Sequence, residues 1–265
     1  MKKRRIVVFS DSYGAGPLLG LLPSDSVACL VSASIRPHDH ALVSSIADEY
    51  GVMHLVQPKV DADGYPSYLG VLKSLEPDLI LCHSYSMIIR DSVLDLVSGN
   101  AVNVHAALLP KNRGPNPIQW AIIRGETKTG ISIHYMEREI DAGDLIAQQE
   151  IPILESDTWV TLRNRLDQVM GPFLAAHIPS ILNGNNDRTP QDLSQATVNT
   201  RLYADSPRID WGVMSDKEVF DLIRAQVRPL GGAYVDVDGK KTYFQEYKTL
   251  REVAQLRRSY QLGQI

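Results

Sequence analysis

Cysteine is scarce. Only Cys29 and Cys82 occur, each inside an apolar run, which suits reduced core thiols in a cytoplasmic protein and excludes a disulfide framework. No stretch approaches the ~18 consecutive apolar residues that span a bilayer, so no membrane association is expected. Met1-Lys2-Lys3-Arg4-Arg5 leads into an apolar run too short for a signal peptide. A long basic run is also missing: Lys and Arg number 27 against 31 Asp and Glu, a formal net charge of -4, so a general nucleic-acid partner is disfavoured. Internal repeats and low-complexity segments are absent, and 44% hydrophobic with 22% charged residues excludes the disordered and fibrous classes. His40, His134 and His177 lack neighbouring ligands, and no metal site is expected.

What is present is alternation. Short β-branched apolar runs at 6–10, 27–32, 53–57, 78–83 and 101–106 are separated by segments of helical period at 40–50, 66–75 and 91–97, with Asp91 as the expected N-cap of the last. A helix at 115–124 ended by Gly125, and strands at 130–136 and 143–153, complete a sheet of about seven strands. Residues 159–182 carry the longest helical pattern, stopped by Asn183-Gly184-Asn185-Asn186-Asp187. Beyond it, 216–226 has a helix face of Val219, Phe220, Leu222 and Ile223, and 233–237 with 241–248 form a hairpin across Asp238-Gly239. The expectation is a doubly wound Rossmann-like α/β domain over 1–184, followed over 185–265 by a linker and a small helix and β-hairpin appendage.

Two motifs lie where such folds bind ligands. Gly14-Ala15-Gly16, with Gly20, follows the first strand and could hold a pyrophosphate at a helix N-terminus, with Arg36 meeting a 2′-phosphate, as in an NADP-dependent oxidoreductase. The spacing is G-x-G-x-x-x-G, however, and no acidic residue follows the second strand, which fits glycines that merely permit tight packing better than a dinucleotide site. Asn103-Val104-His105 ends the fifth strand, and alternation puts both polar side chains on one face at the carboxyl edge of the sheet, where they can donate to one oxygen.

The residues that follow carry a family resemblance. Leu108-Leu109-Pro110-Lys111-Asn112-Arg113-Gly114, Pro117 with Trp120-Ala121-Ile122, Gly125-Glu126 with Thr129-Gly130, and Asp141-Ala142-Gly143-Asp144 stand in order after Asn103-Val104-His105. Together they resemble the folate-dependent formyltransferases, closely over 77–153. The resemblance implies that Asn103, His105 and Asp141 are catalytic: two donors for the oxyanion formed at the formyl carbon, and a carboxylate that relays the proton lost by the attacking amine. Asp144 is the rival carboxylate, with a turn or cap role as its alternative. It also implies that 10-formyltetrahydrofolate lies against Ser84, Tyr85, Ser86, Met87, Ile88, Ile89 and Asp141. Arg113 could pair with a substrate phosphate or brace its own loop, and Trp211 and Tyr234 could stack on a nucleotide base or pack in the appendage.

The acceptor follows from the carboxyl-terminal part. The tRNA enzymes of the family add a β-barrel of about a hundred residues. Here ~80 residues follow Asn183, already occupied by one helix and a hairpin, and 243–265 cannot build a barrel. The glycinamide ribonucleotide branch places glycines directly after the first strand, where Ser10-Asp11-Ser12-Tyr13 stands here. The pattern is most similar to the sugar N-formyltransferases, implying a nucleotide-activated amino sugar as acceptor in surface polysaccharide or lipopolysaccharide synthesis. A methionyl-tRNA or other small-amine formyltransferase is the alternative, and a homodimer is one permitted assembly.

Overall fold

The computed structural model describes residues 4–11, 14–23, 25–203 and 206–263; Met1, Lys2, Lys3, Ser12 and Tyr13 of the segments named above lie outside the described residues. Strands rich in Val, Ile and Leu on both faces need cover on both faces, and the sheet is built from them. β1 (Ile6–Phe9), β2 (Val27–Ala33), β3 (Met53–Gln57), β4 (Leu79–His83), β5 (Ala101–His105), β6 (Lys128–Tyr135) and β7 (Leu145–Pro152) lie in the order β3-β2-β1-β4-β5-β6-β7. β1 pairs in parallel with β2 and β4, β2 with β3, and β4 with β5, while β6 runs antiparallel to β5. The strand order reverses between β1 and β4, which opens a crevice at their carboxyl ends.

The helices are α1 (Ala15–Leu19), α2 (His40–Tyr50), α3 (Tyr65–Ser74), α4 (Asp91–Leu94), α5 (Pro117–Ile123), α6 (Trp159–Asn183), α7 (Asp216–Arg224) and α8 (Leu250–Gln261). α2 ends where Gly51 adopts φ 65°, and the strand-and-helix pattern of the sequence is recovered to within a few residues. Asp91 is not the N-cap of α4. Arg90 holds that position without a side-chain cap, and Asp91 is the first helical residue.

The described chain separates into two compact units. The first holds 1–105, 132–148 and 169–192, and its core joins Val7, Phe9, Cys29, Val31, Tyr65, Leu72, Ile80, Cys82 and Val93. The second holds 106–131, 149–168 and 193–265. A boundary at residue 184 is a single cut along the chain, whereas these units interleave.

The carboxyl-terminal core of the second unit gathers Ile209, Trp211, Phe220, Ile223, Val235, Phe244 and Val253. β8 (Ala233–Val237) and β9 (Lys240–Phe244) form the expected hairpin, with Asp238 and Gly239 both at positive φ as a two-residue turn of that type requires. α8 is an additional helix absent from the sequence reading. Its capping box pairs Thr249 with Glu252, and it packs Val253, Leu256 and Tyr260, spaced by three and four residues, on this core. Trp211 sits between the Tyr260 ring, 5.9 Å between centroids, and the Arg257 guanidinium at 5.0 Å. Arg257 also donates to the Trp211 carbonyl at 2.7 Å and pairs with Asp216.

Among the described residues, no helix is long and apolar enough to cross a membrane. Both cysteines are free and buried, and burial pushes the Cys29 thiol up to about 12 and the Cys82 thiol up as well. Thiol reagents at pH 8 are therefore expected to label neither cysteine until the protein is unfolded in urea; rapid labelling of the native protein would contradict this burial. Trp211→Ala is expected to cost about 3–5 kcal/mol and Thr249→Ala about 1 kcal/mol in urea denaturation.

Candidate active site

The carboxyl ends of β1, β2, β3 and β4 are tied together by two polar side chains of the first unit. Asp11, 3% exposed, accepts from the backbone N–H of Ala33 through Oδ1 and from that of Ser86 through Oδ2, both at 2.8 Å, and its own N–H donates to the Ser84 carbonyl at 3.1 Å. Gln57, equally buried, accepts from the Tyr85 hydroxyl at 2.9 Å and donates to the Ile88 carbonyl at 3.1 Å. Ser84 C=O, Ser86 N–H and Ile88 C=O are thus all engaged by the protein, while Ile88 is 53% exposed and Ile89 is buried. Ile88 and Ile89 line an open cleft of about 490 Å³ with Val60, Arg90, Asp91, Ser92 and Arg138. Of the expected folate contacts, the segment Ser84 to Ile89 therefore forms one continuous loop at the switch point, and Asp141 lies elsewhere in the same unit.

The second group is built across β5 and β6. Their register sets Asn103 opposite His134 and His105 opposite Ser132, so these side chains share one face. The loop after β6 returns Asp141 to that face, with its side chain 10% exposed. Asn103 Nδ2 lies 3.1 Å from His134 Nε2 and 3.3 Å from Asp141 Oδ1, and His105 Nδ1 lies 3.6 Å from Asp141 Oδ2. His134 Nδ1 is 2.8 Å from the Tyr135 carbonyl, which can only accept, so this nitrogen carries a proton; Nε2 lies 3.4 Å from Asp141 Oδ1 and in the neutral tautomer is an acceptor for Asn103. Asn103 is thereby held with its NH₂ toward two acceptors, since the flipped amide would put oxygen against both. The structure brings Asn103, His105 and Asp141 together, and adds His134.

Gly143 has a steric role. A Cβ there would stand 2.1 Å from the Tyr135 carbonyl oxygen, so only glycine allows the loop to close on the end of β6; the residue with positive φ is Asp141, at 53°. Asp144 contributes its backbone carbonyl, which accepts from the Tyr135 N–H at 2.9 Å.

The remaining expected site residues lie in the second unit and are buried. Arg113 is 2% exposed, with its backbone bonded to Thr197 and Asn199, so it presents little surface to a phosphate. Trp211 and Tyr234, 7% and 4% exposed, are core residues and not stacking platforms, because neighbouring side chains cover their rings. Glu126 of the Gly-Glu pair accepts from the Asn112 side chain at 3.0 Å, and Arg124 donates to Asn199 at 2.6 Å, so this part of the motif is an internal network. Arg36 pairs with Asp39 at 2.7 Å, and a Cβ on Gly14 would stand 2.8 Å from the His83 ring, so this glycine serves packing. His134, Asp11 and Gln57 were not assigned from sequence; for His134 the signal is its place on the alternating strand opposite Asn103. Among the described residues, no group of His, Cys, Asp and Glu could hold a metal ion.

The family described as Formyl transferase matches residues 24–177. Methionyl-tRNA formyltransferase from Lactiplantibacillus plantarum is 34% identical over 216 residues, 80% of this chain. The chain spans about half to two thirds of the length of such relatives, 67% of that protein and 55% of the Staphylococcus epidermidis one. A 4-N formyltransferase from Francisella tularensis superposes with a TM-score of 0.76 at 20% identity, covering 93% of this chain and 98% of that one. WlaRD, a sugar 3N-formyl transferase in the presence of dTDP and 5-N-formyl-THF, gives a TM-score of 0.72 at 15% identity, covering 91% and 85%. At these identities the likeness is one of fold.

Asn103→Ala, His105→Ala and Asp141→Ala are each expected to lower kcat by about a hundredfold or more, the size of one lost oxyanion donor or proton acceptor. Asp144→Ala, with its backbone contact intact, should cost far less. His134→Leu should cost about tenfold by freeing the Asn103 amide, roughly 1.4 kcal/mol in the barrier. A dead Asp144 variant beside an active Asp141 variant would reverse the carboxylate assignment.

Proposed function

Because the chain belongs to the formyl transferase family, we propose that it moves a formyl group from 10-formyltetrahydrofolate to the amine of a nucleotide-linked amino sugar. The observation that carries the transfer chemistry is the convergence of Asn103, His105 and Asp141 at the end of β5, with the two carboxylate oxygens of Asp141 facing different partners. The folate supplies an activated formyl group. Asn103 and His105 act as donors to the oxygen of that group as negative charge develops on it, and Asp141 accepts or relays the proton released by the amine. Asp11 and Gln57 hold the 84–89 loop against which the pterin packs, with Ile88 on its face. The presence of 5-N-formyl-THF with a related fold supports the choice of co-substrate.

The sugar acceptor is supported by the extent of structural likeness, which covers 93% of this chain and 98% of the Francisella 4-N formyltransferase. Surface polysaccharide or lipopolysaccharide assembly is the use such a product would serve. A second reading, formylation of methionyl-tRNA, is favoured by the 34% identity to the Lactiplantibacillus protein.

The two readings separate in one assay. Purified protein is given 10-formyltetrahydrofolate with UDP-, GDP- or dTDP-linked amino sugars, or with charged initiator tRNA, and release of tetrahydrofolate is followed. A sugar turned over at least about a hundredfold more efficiently than the tRNA is the expected result. Comparable or faster formylation of the tRNA would overturn the acceptor assignment, and no release with any amine would overturn the reaction.

A further inference from the structure

Residues 185–192 read as linker in the sequence, yet they are bonded to the loop that carries Asp141. Leu145 and Thr189 exchange both backbone hydrogen bonds, at 2.8 and 3.0 Å. The Arg188 guanidinium lies 3.6 Å from the centroid of the Tyr135 ring and donates to the Gly99 carbonyl at 3.2 Å, and the Asn186 amide reaches the Tyr135 hydroxyl at 3.5 Å. These contacts deliver Gln191, 9% exposed, to the turn itself. Its Nε2 donates to the carbonyl oxygen of Asp141 at 2.9 Å and to that of Gly143 at 2.7 Å.

One NH₂ therefore holds the carbonyls on both sides of Ala142. The turn needs such a tie, because Asp141 carries a side chain at φ 53°, in the left-handed region that disfavours a Cβ, and its neighbour Ala142 contributes only a long hydrogen bond of 3.3 Å to Glu139. With the Asp141 carbonyl held, the backbone that carries its side chain is restrained, and the carboxylate then meets Asn103 through Oδ1 and faces His105 through Oδ2.

We infer that Gln191 is a positioning residue for formyl transfer, acting through the backbone of Asp141 to aim its carboxylate. This rests on the reading that Asp141 serves the reaction. Gln191 touches no reacting atom in this scheme, so its loss acts on turnover rather than on substrate binding.

The test is a mutant cycle with Asp141, run with saturating formyl donor and amino acceptor. Gln191→Ala is expected to lower kcat by about a hundredfold, the cost of roughly 1 Å of misplacement, with both KM values and the melting temperature little changed. In an Asp141→Ala background the same substitution is expected to cause no further loss, since no carboxylate is left to aim. A full additional loss there would overturn the inference, as would wild-type turnover in Gln191→Ala. Wild-type turnover in Asp141→Ala would overturn the site reading and the inference together, whereas an impaired Asp141→Ala beside an unaffected Gln191→Ala overturns the inference alone. Should Gln191→Ala fail to fold, Gln191→Glu keeps the shape. Ionised at pH 8, it offers no donor to the two carbonyls, so its kcat should fall by the same factor expected of Gln191→Ala. Wild-type turnover in Gln191→Glu at pH 8 would overturn the inference.

Discussion

The close approach of the Gly143 backbone to the Tyr135 carbonyl is the constraint on which the candidate site depends. β6 ends at Tyr135 and β7 begins at Leu145, and the residues between them must leave the sheet, present a carboxylate to β5 and return. The Tyr135 N–H to Asp144 carbonyl bond closes the base of this excursion, and it closes only because position 143 has no Cβ. A side chain there would force the strands apart at their ends and withdraw Asp141 from Asn103 and His105. The polar chemistry is thus set by a packing condition two residues away from the carboxylate.

Much of this was legible in the sequence for a physical reason. Strands buried on both faces, such as β1 and β4, appear as unbroken apolar runs, and β3, α2 and β8 also stand where their local patterns put them. Asn103 and His105 were readable because period-two alternation leaves two polar residues on one face at a strand end. His134 was harder, since its importance comes from antiparallel register with β5, a long-range pairing that no local pattern reports. The same holds for Asp11 and Gln57, whose partners lie on other strands. α8 was missed although its signals are local: Thr249 and Glu252 form a capping box, and Val253, Leu256 and Tyr260 make a stripe. A strongly polar composition around that stripe hid it.

The aromatic residues show the opposite error. Trp211 and Tyr234 have the size and chemistry of base-stacking groups, but the small carboxyl-terminal core takes in Trp211, and Tyr234 is buried against Tyr243 across the hairpin. Their partners, Tyr260, Arg257 and Tyr243, occupy the faces that a base would need. Residue type alone does not separate these roles, because stacking on a neighbour and stacking on a ligand require the same rings.

The interleaving of the two units bears on the order in which the molecule is made. The chain passes between them at 105/106, 131/132, 148/149, 168/169 and 192/193. The first unit has all its residues once synthesis reaches 192, including the strands, the Asp141 loop and Gln191. The second unit, two of whose segments precede residue 169 in the sequence, lacks a completed carboxyl-terminal core until Val253 is made. For that interval the apolar residues from Ile209 to Phe244 have no finished core to enter, and synthesis of this last segment is the stage at which association with other chains is most to be expected.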